Sequence, residues 1–471
     1  MPSPIEFAGA TFLGRIGLAR IEITPPAGIY CRNWGAAAHD VARGIHRPLW
    51  LTAVAFTDAA GGGSPLVLLD ADLGWWASAA HEREVRGRLL ARLGLPAERL
   101  LFALTHTHSA PPLSVPERHW PGRELLAAFQ AQLEQAAAEA AEQAIAAAEP
   151  ALLDWHQGRC GLAANRDLPE SEALPAGSAS SRVLCGYNPA GPADDTLLVG
   201  RITAASGRSL GTIVNYACHP TTLAWENDLV SPDYVGAMRE TIQVATEGAP
   251  AVFLQGASGE LAPRHQYTGD PAVADRHGRE LGHAALATLH AMEPPGERLA
   301  FDRVVESGAP LAVWRPRRGE PARLATSVTA KRAVVDLPLK AWPTAAELEA
   351  QIAACPDRAL AERLRRRLRI RESLGDAATY PFEIWGWRIG EAVVLGTMAE
   401  AYSRIQRRVR AAFPDRAVIW LNLVNGSVGY LPPAELYELD IYPAWQTPFD
   451  RGSLERVEDA AVALGRELLR E

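Results

Sequence analysis

The sequence has little cysteine and lacks a long uninterrupted apolar run. Its 471 residues include five cysteines, an odd number without CxxC spacing, which argues against a disulfide framework and for a reducing compartment. No stretch reaches the roughly 18 apolar residues that indicate a membrane-spanning helix. The first residues also lack the basic and apolar regions of a secretory signal. These absences predict a cytoplasmic protein that forms no stable association with membranes.

Positive charge is scarce as well. Lysine and arginine total 47 against 55 acidic residues, and the formal net charge is -8. A dense basic block, the electrostatic footprint of nucleic-acid binding, is missing. The most basic run, "RLRRRLRIR" at 363–371, is interleaved with leucine and isoleucine, so we interpret it as the solvated face of a helix. The composition therefore predicts no nucleic-acid partner, and it leaves a homo-oligomer open.

Apolar runs alternate with segments of helical periodicity along the chain. "SPLVLLDADLGWW" is typical of a buried strand, and "AAHEREVRGRLLARLGL" after it has the spacing of an amphipathic helix. Apolar residues make up 48% and charged residues 22%, as in an ordinary globular protein. The alternation predicts an α/β fold in which helices flank a mixed sheet.

Four apolar segments end in a polar residue suited to metal binding or catalysis. These segments are "LLFALTHTH", "TIVNYACHPTT", "AVVLGTMAEAY" and "WLNLVNGSVGY", and they carry His106 with His108, His219, Glu400 and Tyr430. Ligands of α/β sheets bind outside the strand ends, so such residues are candidates for a site. We predict a metal site at the strand ends.

The pair His106 and His108 carries the metal hypothesis. Residues i and i+2 of an extended chain face the same way, so both imidazoles would face one cavity. With His219 and a carboxylate nearby they would suit zinc, which takes nitrogen and oxygen ligands in tetrahedral geometry. The spacing alone is weak, because an isolated H-x-H is more often a hydrogen-bonded loop pair.

Taken together and in order, the motifs resemble the neutral/alkaline (non-lysosomal) ceramidase family. "THTHSAP", "NYACHPTTL", "LQGASGELAPR", "GTMAEAYSRI" and "VNGSVGYLPPAELYELDIY" follow that family's order, and the match spans about residues 15–445. The resemblance implies a hydrolase that cleaves the amide bond of an N-acyl compound with a zinc-activated water. It implies one catalytic domain over residues 1–471, with an insertion or subdomain at about 300–375. We expect no C-terminal β-sandwich domain.

The resemblance also assigns roles to single residues. Four positions match the family's Zn²⁺ ligands: His106, His219, Glu400 and Tyr430. Three further positions match the family's residues near the substrate: His108, Arg166 and Tyr442. We expect His108 to shuttle a proton, Tyr430 or Tyr442 to stabilise the oxyanion together with zinc, and Arg166 to orient a polar group of the substrate. The family's "HGTSM" is "HPTTL" here, which predicts a reshaped pocket and a small N-acyl substrate.

Two other functions are open at this point. Ser258 in "QGASGE" suggests a metal-independent serine esterase, although Glu260 stands where the G-x-S-x-G elbow needs a second glycine. A non-catalytic zinc-binding protein is the other alternative. Glu260 itself is a candidate to support the metal from behind its ligands. His46 in "GIHRPL" could belong to the functional site or stabilise the fold, and the sequence favours neither.

Overall fold

The computed structural model describes residues 11–76, 78–113, 120–173, 181–318, 326–375 and 377–470. Within these ranges the strands are β1 (Phe12–Glu22), β2 (Gly44–Ile45), β3 (Trp50–Thr57), β4 (Leu66–Ala71), β5 (Leu100–Leu104), β6 (Glu149–Arg159), β7 (Ala163–Asn165), β8 (Asp167–Pro169), β9 (Arg182–Cys185), β10 (Thr196–Ala204), β11 (Ser209–Tyr216), β12 (Leu229–Val230), β13 (Ala251–Gln255), β14 (Leu261–Pro263), β15 (Glu297–Glu306), β16 (Pro310–Arg318), β17 (Val328–Pro338), β18 (Thr379–Ile389), β19 (Ala392–Thr397), β20 (Glu400–Ala401), β21 (Val418–Leu421), β22 (Tyr430–Leu431) and β23 (Asp440–Ile441).

The α-helices of the described ranges are α1 (Ala79–Leu93), α2 (Leu126–Ala146), α3 (Glu170–Ala173), α4 (Tyr234–Ala245), α5 (Pro271–His290), α6 (Ala345–Ala354), α7 (Arg358–Leu374), α8 (Arg404–Ala412), α9 (Tyr442–Gln446) and α10 (Ser453–Arg470). Among the helices of these ranges, none combines the length and apolar character that crossing a bilayer requires.

Two sheets packed face to face form the centre of the fold. The larger sheet has the strand order β13-β11-β10-β6-β1-β3-β4-β5, and the smaller one has the order β17-β18-β19-β21. Both are mixed, with parallel pairs β4–β5, β11–β13 and β19–β21 among antiparallel ones. Phe12, Val54 and Leu68 of the larger sheet share one buried core with Trp387 and Ile419 of the smaller.

Helices cover both outer faces of this double sheet. Strand β4 is buried throughout because successive side chains point to opposite layers: Leu68 points to the second sheet, and Val67 and Leu69 point to α2. Gly17 lets α2 approach closely, because a Cβ there would lie 2.0 Å from the carbonyl oxygen of Ala144. On the other side, α8 and α10 pack on the smaller sheet. The predicted mixed sheet with flanking helices is confirmed, in four layers.

The two edges of the larger sheet curve toward each other. Strands β5 and β13 stand at opposite ends of the strand order, yet they are in contact. The loop after β21 joins the two strands. The backbone N–H of Asn422 donates to the carbonyl oxygen of Gln255 in β13 (3.0 Å), and the backbone N–H of Asn425 donates to that of Phe102 in β5 (3.1 Å). This closure brings the ends of β5, β11, β19 and β21 to one place.

The segment predicted as an insertion, about 300–375, contributes to three parts of the fold. Strands β15 and β16 form a two-stranded hairpin that is exposed along most of its length. Strand β17 then enters the smaller sheet. Helices α6 and α7 pack against each other, and α7 lies over the mouth of the cavity described below.

Candidate metal centre and substrate cavity

Three side chains from separate strand ends converge on one buried point. Nε2 of His106 lies 3.2 Å from Oε2 of Glu400, and Nε2 of His219 lies 2.9 Å from the same oxygen. Their ligand atoms all lie within 4.8 Å of one another. None of the three residues is more than 9% exposed. The group therefore has the composition and the spacing of a metal centre.

The hydrogen bonds behind the two imidazoles orient this group toward a possible metal ion. Nδ1 of His106 faces the carbonyl oxygen of Gly74 at 2.9 Å, and Nδ1 of His219 faces that of Ser258 at 2.6 Å. A carbonyl only accepts, so each Nδ1 carries a proton, and in the neutral form of each ring Nε2 has a lone pair directed at the point shared with Glu400. Burial, followed by the charge of Arg166, lowers the pKa of His219 to about 3, which disfavours an imidazolium. A metal ion satisfies all three electron-pair donors.

His106 reaches this point through a turn. Strand β5 ends at Leu104, and His106 has a φ of 71°, in the left-handed region. Its amide donates to Leu73 O at 2.9 Å, which ties the turn to the end of β4. The extended geometry that we assumed for His106 and His108 is therefore wrong, although both side chains line the cavity.

Glu400 and Tyr430 are held side by side by a short parallel pair of strands. They are direct partners in the pairing of β20 with β22. The Tyr430 ring stacks on His219, with centroids 6.4 Å apart and planes at 11°. Its hydroxyl accepts a hydrogen bond from Nη2 of Arg166 at 3.0 Å. Tyr430 thus lies beside two members of the metal group, His219 and Glu400.

His108 lies beside the centre without joining it. Its ring packs between Trp34 and Trp75, with centroid distances of 5.1 and 5.0 Å, and lies 4.9 Å from the ring of His106. Neither ring nitrogen has a hydrogen-bond partner among the described residues. Burial and then the neighbouring His106 hold the pKa of His108 well below its usual value. His108 is therefore available to a molecule in the cavity.

The loop that contains Ser258 acts through its backbone. The Gly259 carbonyl accepts from Nη2 of buried Arg166 at 2.7 Å, and the Ser258 carbonyl accepts from His219. The Ser258 hydroxyl accepts from Nε2 of Gln255 at 2.6 Å, and in the described structure no histidine bonds to it. A serine esterase needs a base within hydrogen-bond reach of its nucleophile, so this alternative loses its support.

A cavity of about 510 Å³ opens in front of the metal group. Much of its wall is aromatic, and these rings belong to Trp34, Trp75, Trp76, Trp225, Tyr267, Tyr430 and Tyr442. Arg166 also lines it, so every residue predicted from the sequence to act on the substrate borders one space. Such a wall suits an apolar chain with a few polar groups at one end.

The basic run on α7 was misread. Arg363, Arg366 and Arg369 line the cavity, whereas we predicted a solvated face for them. Ala361 and Leu364 bury another side of the same helix. The interleaved leucines correctly indicated a helix, but they could not indicate that its arginine-bearing side covers a cavity. The residues missed by sequence analysis are these arginines and the rings of Trp34 and Trp75.

His46 takes the structural role of the two alternatives. It lies outside the cavity, with Nδ1 2.9 Å from the Ser231 hydroxyl and Nε2 3.1 Å from Asp275. Ser231 is fully buried, so this serine–histidine–aspartate arrangement has no access for a substrate. The Ser231 backbone instead binds the chain next to His108, accepting from the Thr107 hydroxyl at 2.7 Å. His46 therefore positions the loop that carries the two cavity histidines.

Glu260 binds the chain just after Glu400. Its carboxylate accepts from the backbone amide of Ser403 at 2.9 and 3.0 Å and from the Ser403 hydroxyl. Burial raises the pKa of Glu260 to about 7, against the effect of these Ser403 bonds. Ser403 follows Glu400 by three residues, so the contact fixes where β20 turns into α8.

We expect Glu260→Gln to weaken metal binding about 10- to 100-fold, the usual cost of disturbing a partner behind a ligand. The amide of glutamine presents one acceptor where the carboxylate presents two, so one bond to Ser403 is lost. Metal affinity measured by competition with a chromophoric chelator tests this. Glu458→Gln is the matched control. Glu458 is fully buried, forms an ion pair of 2.7 Å with Arg408, and does not line the cavity. Equal affinities in the two variants would contradict the assignment.

Comparison with known proteins finds a likeness to neutral ceramidase, the kind of protein that the motifs resemble. No family model matches the chain. Neutral ceramidase of Pseudomonas aeruginosa is 26% identical over an alignment 503 positions long, which covers 96% of this chain and 72% of that protein. The crystal structure of that neutral ceramidase aligns with a TM-score of 0.66 at 21% identity, and a ceramidase complexed with C2 aligns with the same score at 19%. Both alignments cover 96% of this chain and 75% of the other. The likeness to neutral ceramidase is confirmed, and the chain has its fold.

Proposed function

We propose that this protein is a zinc-dependent hydrolase that cleaves the amide bond of an N-acyl compound. The observation that carries the proposal is the convergence of His106, His219 and Glu400, all as electron-pair donors, on one point at the end of an aromatic cavity. Tyr430 would complete four nitrogen and oxygen ligands, a set that suits zinc. The name of the similar protein, neutral ceramidase, favours an amide of a fatty acid as the substrate.

The protein's own groups divide the remaining work. When bound, zinc would polarise the amide carbonyl and acidify a water molecule. His108 has two unpartnered ring nitrogens at the cavity, so it can accept a proton and pass it to the leaving amine. Tyr442, whose ring lies 5.6 Å from that of Tyr430, would donate a hydrogen bond to the carbonyl oxygen as charge develops there. Arg166 holds the Tyr430 hydroxyl and borders the cavity, where it can orient a polar group.

The chain would act as one catalytic domain. His106 and His219 follow strands of the larger sheet, whereas Glu400 and Tyr430 follow strands of the smaller sheet. Either sheet alone would hold half of the ligand set. A site built in this way supports a single unit that includes both sheets.

A panel of N-acyl compounds tests the function. We expect the zinc-loaded protein to release free amines from N-acyl amides, to lose this activity after dialysis against a chelator, and to regain it when zinc is added back. Released amine is measured by derivatisation, with short-chain ceramide in detergent and small water-soluble amides side by side. Turnover that survives complete removal of metal would overturn the proposal. So would hydrolysis of esters with no amide cleaved.

A further inference from the structure

The arginines of α7 give the cavity an unusual charge for a protein with a net charge of -8. Arg363, Arg366 and Arg369 line it together with Arg166, whereas its acidic lining is Glu362 and Glu400. Glu400 is already used by the two histidines of the metal group. The entrance side under α7 is therefore cationic.

Glu362 offsets only part of this positive charge. Its one carboxylate is shared among three arginines, with long ion pairs to Arg365 (3.5 Å), Arg366 (3.9 Å) and Arg369 (3.9 Å). Arg363 has no ion pair among the described residues, and its Nε is buried without a hydrogen-bond partner there. A guanidinium N–H group that is buried away from water needs a hydrogen-bond acceptor, so the Arg363 side chain can bind an acceptor on a ligand in the cavity.

Aromatic rings fix the guanidinium groups in place. The Arg363 guanidinium lies over the Trp445 ring at 3.7 Å, and that of Arg366 lies over the Trp75 ring at 5.1 Å. Arg366 also donates to the carbonyl of Asn33. A stacked guanidinium keeps its edge free to donate in the ring plane, the geometry that binds carboxylates and phosphates.

The arginines lie close to the reaction centre. Trp75, under Arg366, packs against His108 with ring centroids 5.0 Å apart. Arg363 lies 5.5 Å from the ring of Tyr442, which in turn contacts Tyr430. One side chain thus separates Arg366 from His108, and one separates Arg363 from Tyr430. An anion held here would lie a few bonds from the amide that is cleaved.

We infer that the substrate carries an anionic group (a carboxylate, sulfonate or phosphate) close to its amide bond, and that Arg363 and Arg366 bind this group. The inference rests on the proposed amide hydrolysis and narrows its substrates to N-acyl amino acids and related acidic N-acyl amines. The aromatic wall formed by Trp34, Trp225 and Tyr267 then accommodates the acyl chain.

Four amides of one fatty acid test the substrate class. N-dodecanoylglycine, N-dodecanoyltaurine and N-dodecanoyl-O-phosphoethanolamine carry the three kinds of anion, and N-dodecanoylethanolamine is neutral. We expect the best anionic amide to exceed the neutral one about tenfold or more in kcat/KM, the worth of a hydrogen bond to a charged group. The ranking of the three identifies the anion. Equal or faster turnover of the neutral amide would overturn the inference and leave the amidase function intact.

Variants of α7 then locate the anion site. In the double variant Arg363→Gln/Arg366→Gln, the ratio of kcat/KM for the best anionic amide to that for the neutral amide is expected to fall below about threefold. The fall should come from a higher KM for the anionic amide, whereas the kinetic constants for the neutral amide should change little. Arg365→Gln is the control, since Arg365 lies on the same helix but does not line the cavity. Should the double variant misfold, Arg363→Gln alone is measured. A preference that persists in the folded variant would contradict the inference.

Equilibrium binding separates the two proposals. If no amide is cleaved but the protein binds N-dodecanoylglycine more tightly than the ethanolamide, and Arg363→Gln removes the difference, the anion site stands and the hydrolase function fails. If neither cleavage nor charge-dependent binding is found, both fail.

Discussion

The variant His219→Ala is expected to lose its zinc and all amide hydrolysis above background. The wild-type protein should contain about one zinc per chain, held by three or four ligands as in catalytic zinc sites. His219 is fully buried, with Nδ1 fixed by the Ser258 carbonyl and Nε2 directed at Glu400. Alanine removes one electron-pair donor and leaves a void that no neighbouring ligand fills. Elemental analysis after gel filtration gives the zinc content, and amine release gives the activity.

A second buried histidine provides the control for this result. His277 is 6% exposed and lies 3.1 Å from the Thr222 hydroxyl, outside the metal group. His277→Ala should keep its zinc while losing stability through a comparable cavity. His106→Ala should behave as His219→Ala does. Full zinc retention in both His106→Ala and His219→Ala would remove the metal hypothesis.

The sequence indicated the region of the site because polar residues at the ends of apolar strands are uncommon in a core. This signal is not specific. Asp70 lies near the end of buried strand β4 and Asp72 directly follows it, yet both carboxylates pair with buried Arg239, at 2.7 and 2.6 Å, and neither lines the cavity. What separated His106 and His219 from these carboxylates was the resemblance to a family, because strand-end polarity fits a buried ion pair equally well.

The closure of the larger sheet could not be read from the sequence. Local periodicity predicts strands, but it does not say that the edge strands β5 and β13 come into contact. The closure depends on Asn425, whose side-chain Oδ1 accepts from the Phe102 amide at 2.8 Å and whose Nδ2 donates to Leu100 O at 3.1 Å. Such contacts span more than 300 residues, and no local pattern encodes them.

The arginines of α7 show the same limit on a smaller scale. A helix in which leucine and arginine alternate has an apolar side, and Leu364 is buried as that pattern requires. The side that carries Arg363 and Arg366 faces the cavity because α7 lies across its mouth. Periodicity assigns residues to sides of a helix, but whether a polar side meets bulk water or a cavity depends on tertiary packing.

The variant His108→Ala is expected to keep most of its zinc and to lose about 10²- to 10⁴-fold in kcat, the range for a general acid or base. His108 lies outside the group formed by His106, His219 and Glu400. Both of its ring nitrogens lack a partner among the described residues, so a substrate or a water molecule is the partner left for them. Zinc content and kcat are measured on the same preparation. A loss of metal at ordinary chelator concentrations would mean that His106 and His108 have exchanged roles.

Packing and chemistry at this position can be separated. The ring fills the space between Trp34 and Trp75, so part of any loss in His108→Ala could come from rearranged tryptophans. His108→Phe fills that space without a proton-accepting nitrogen, and it should remain as inactive as alanine. Free imidazole added to His108→Ala should restore part of the lost kcat, because the cavity of about 510 Å³ has room for the ring next to the substrate. If His108→Phe regains the wild-type kcat, His108 acts through packing. If His108→Phe stays inactive and added imidazole raises the kcat of His108→Ala, His108 transfers the proton.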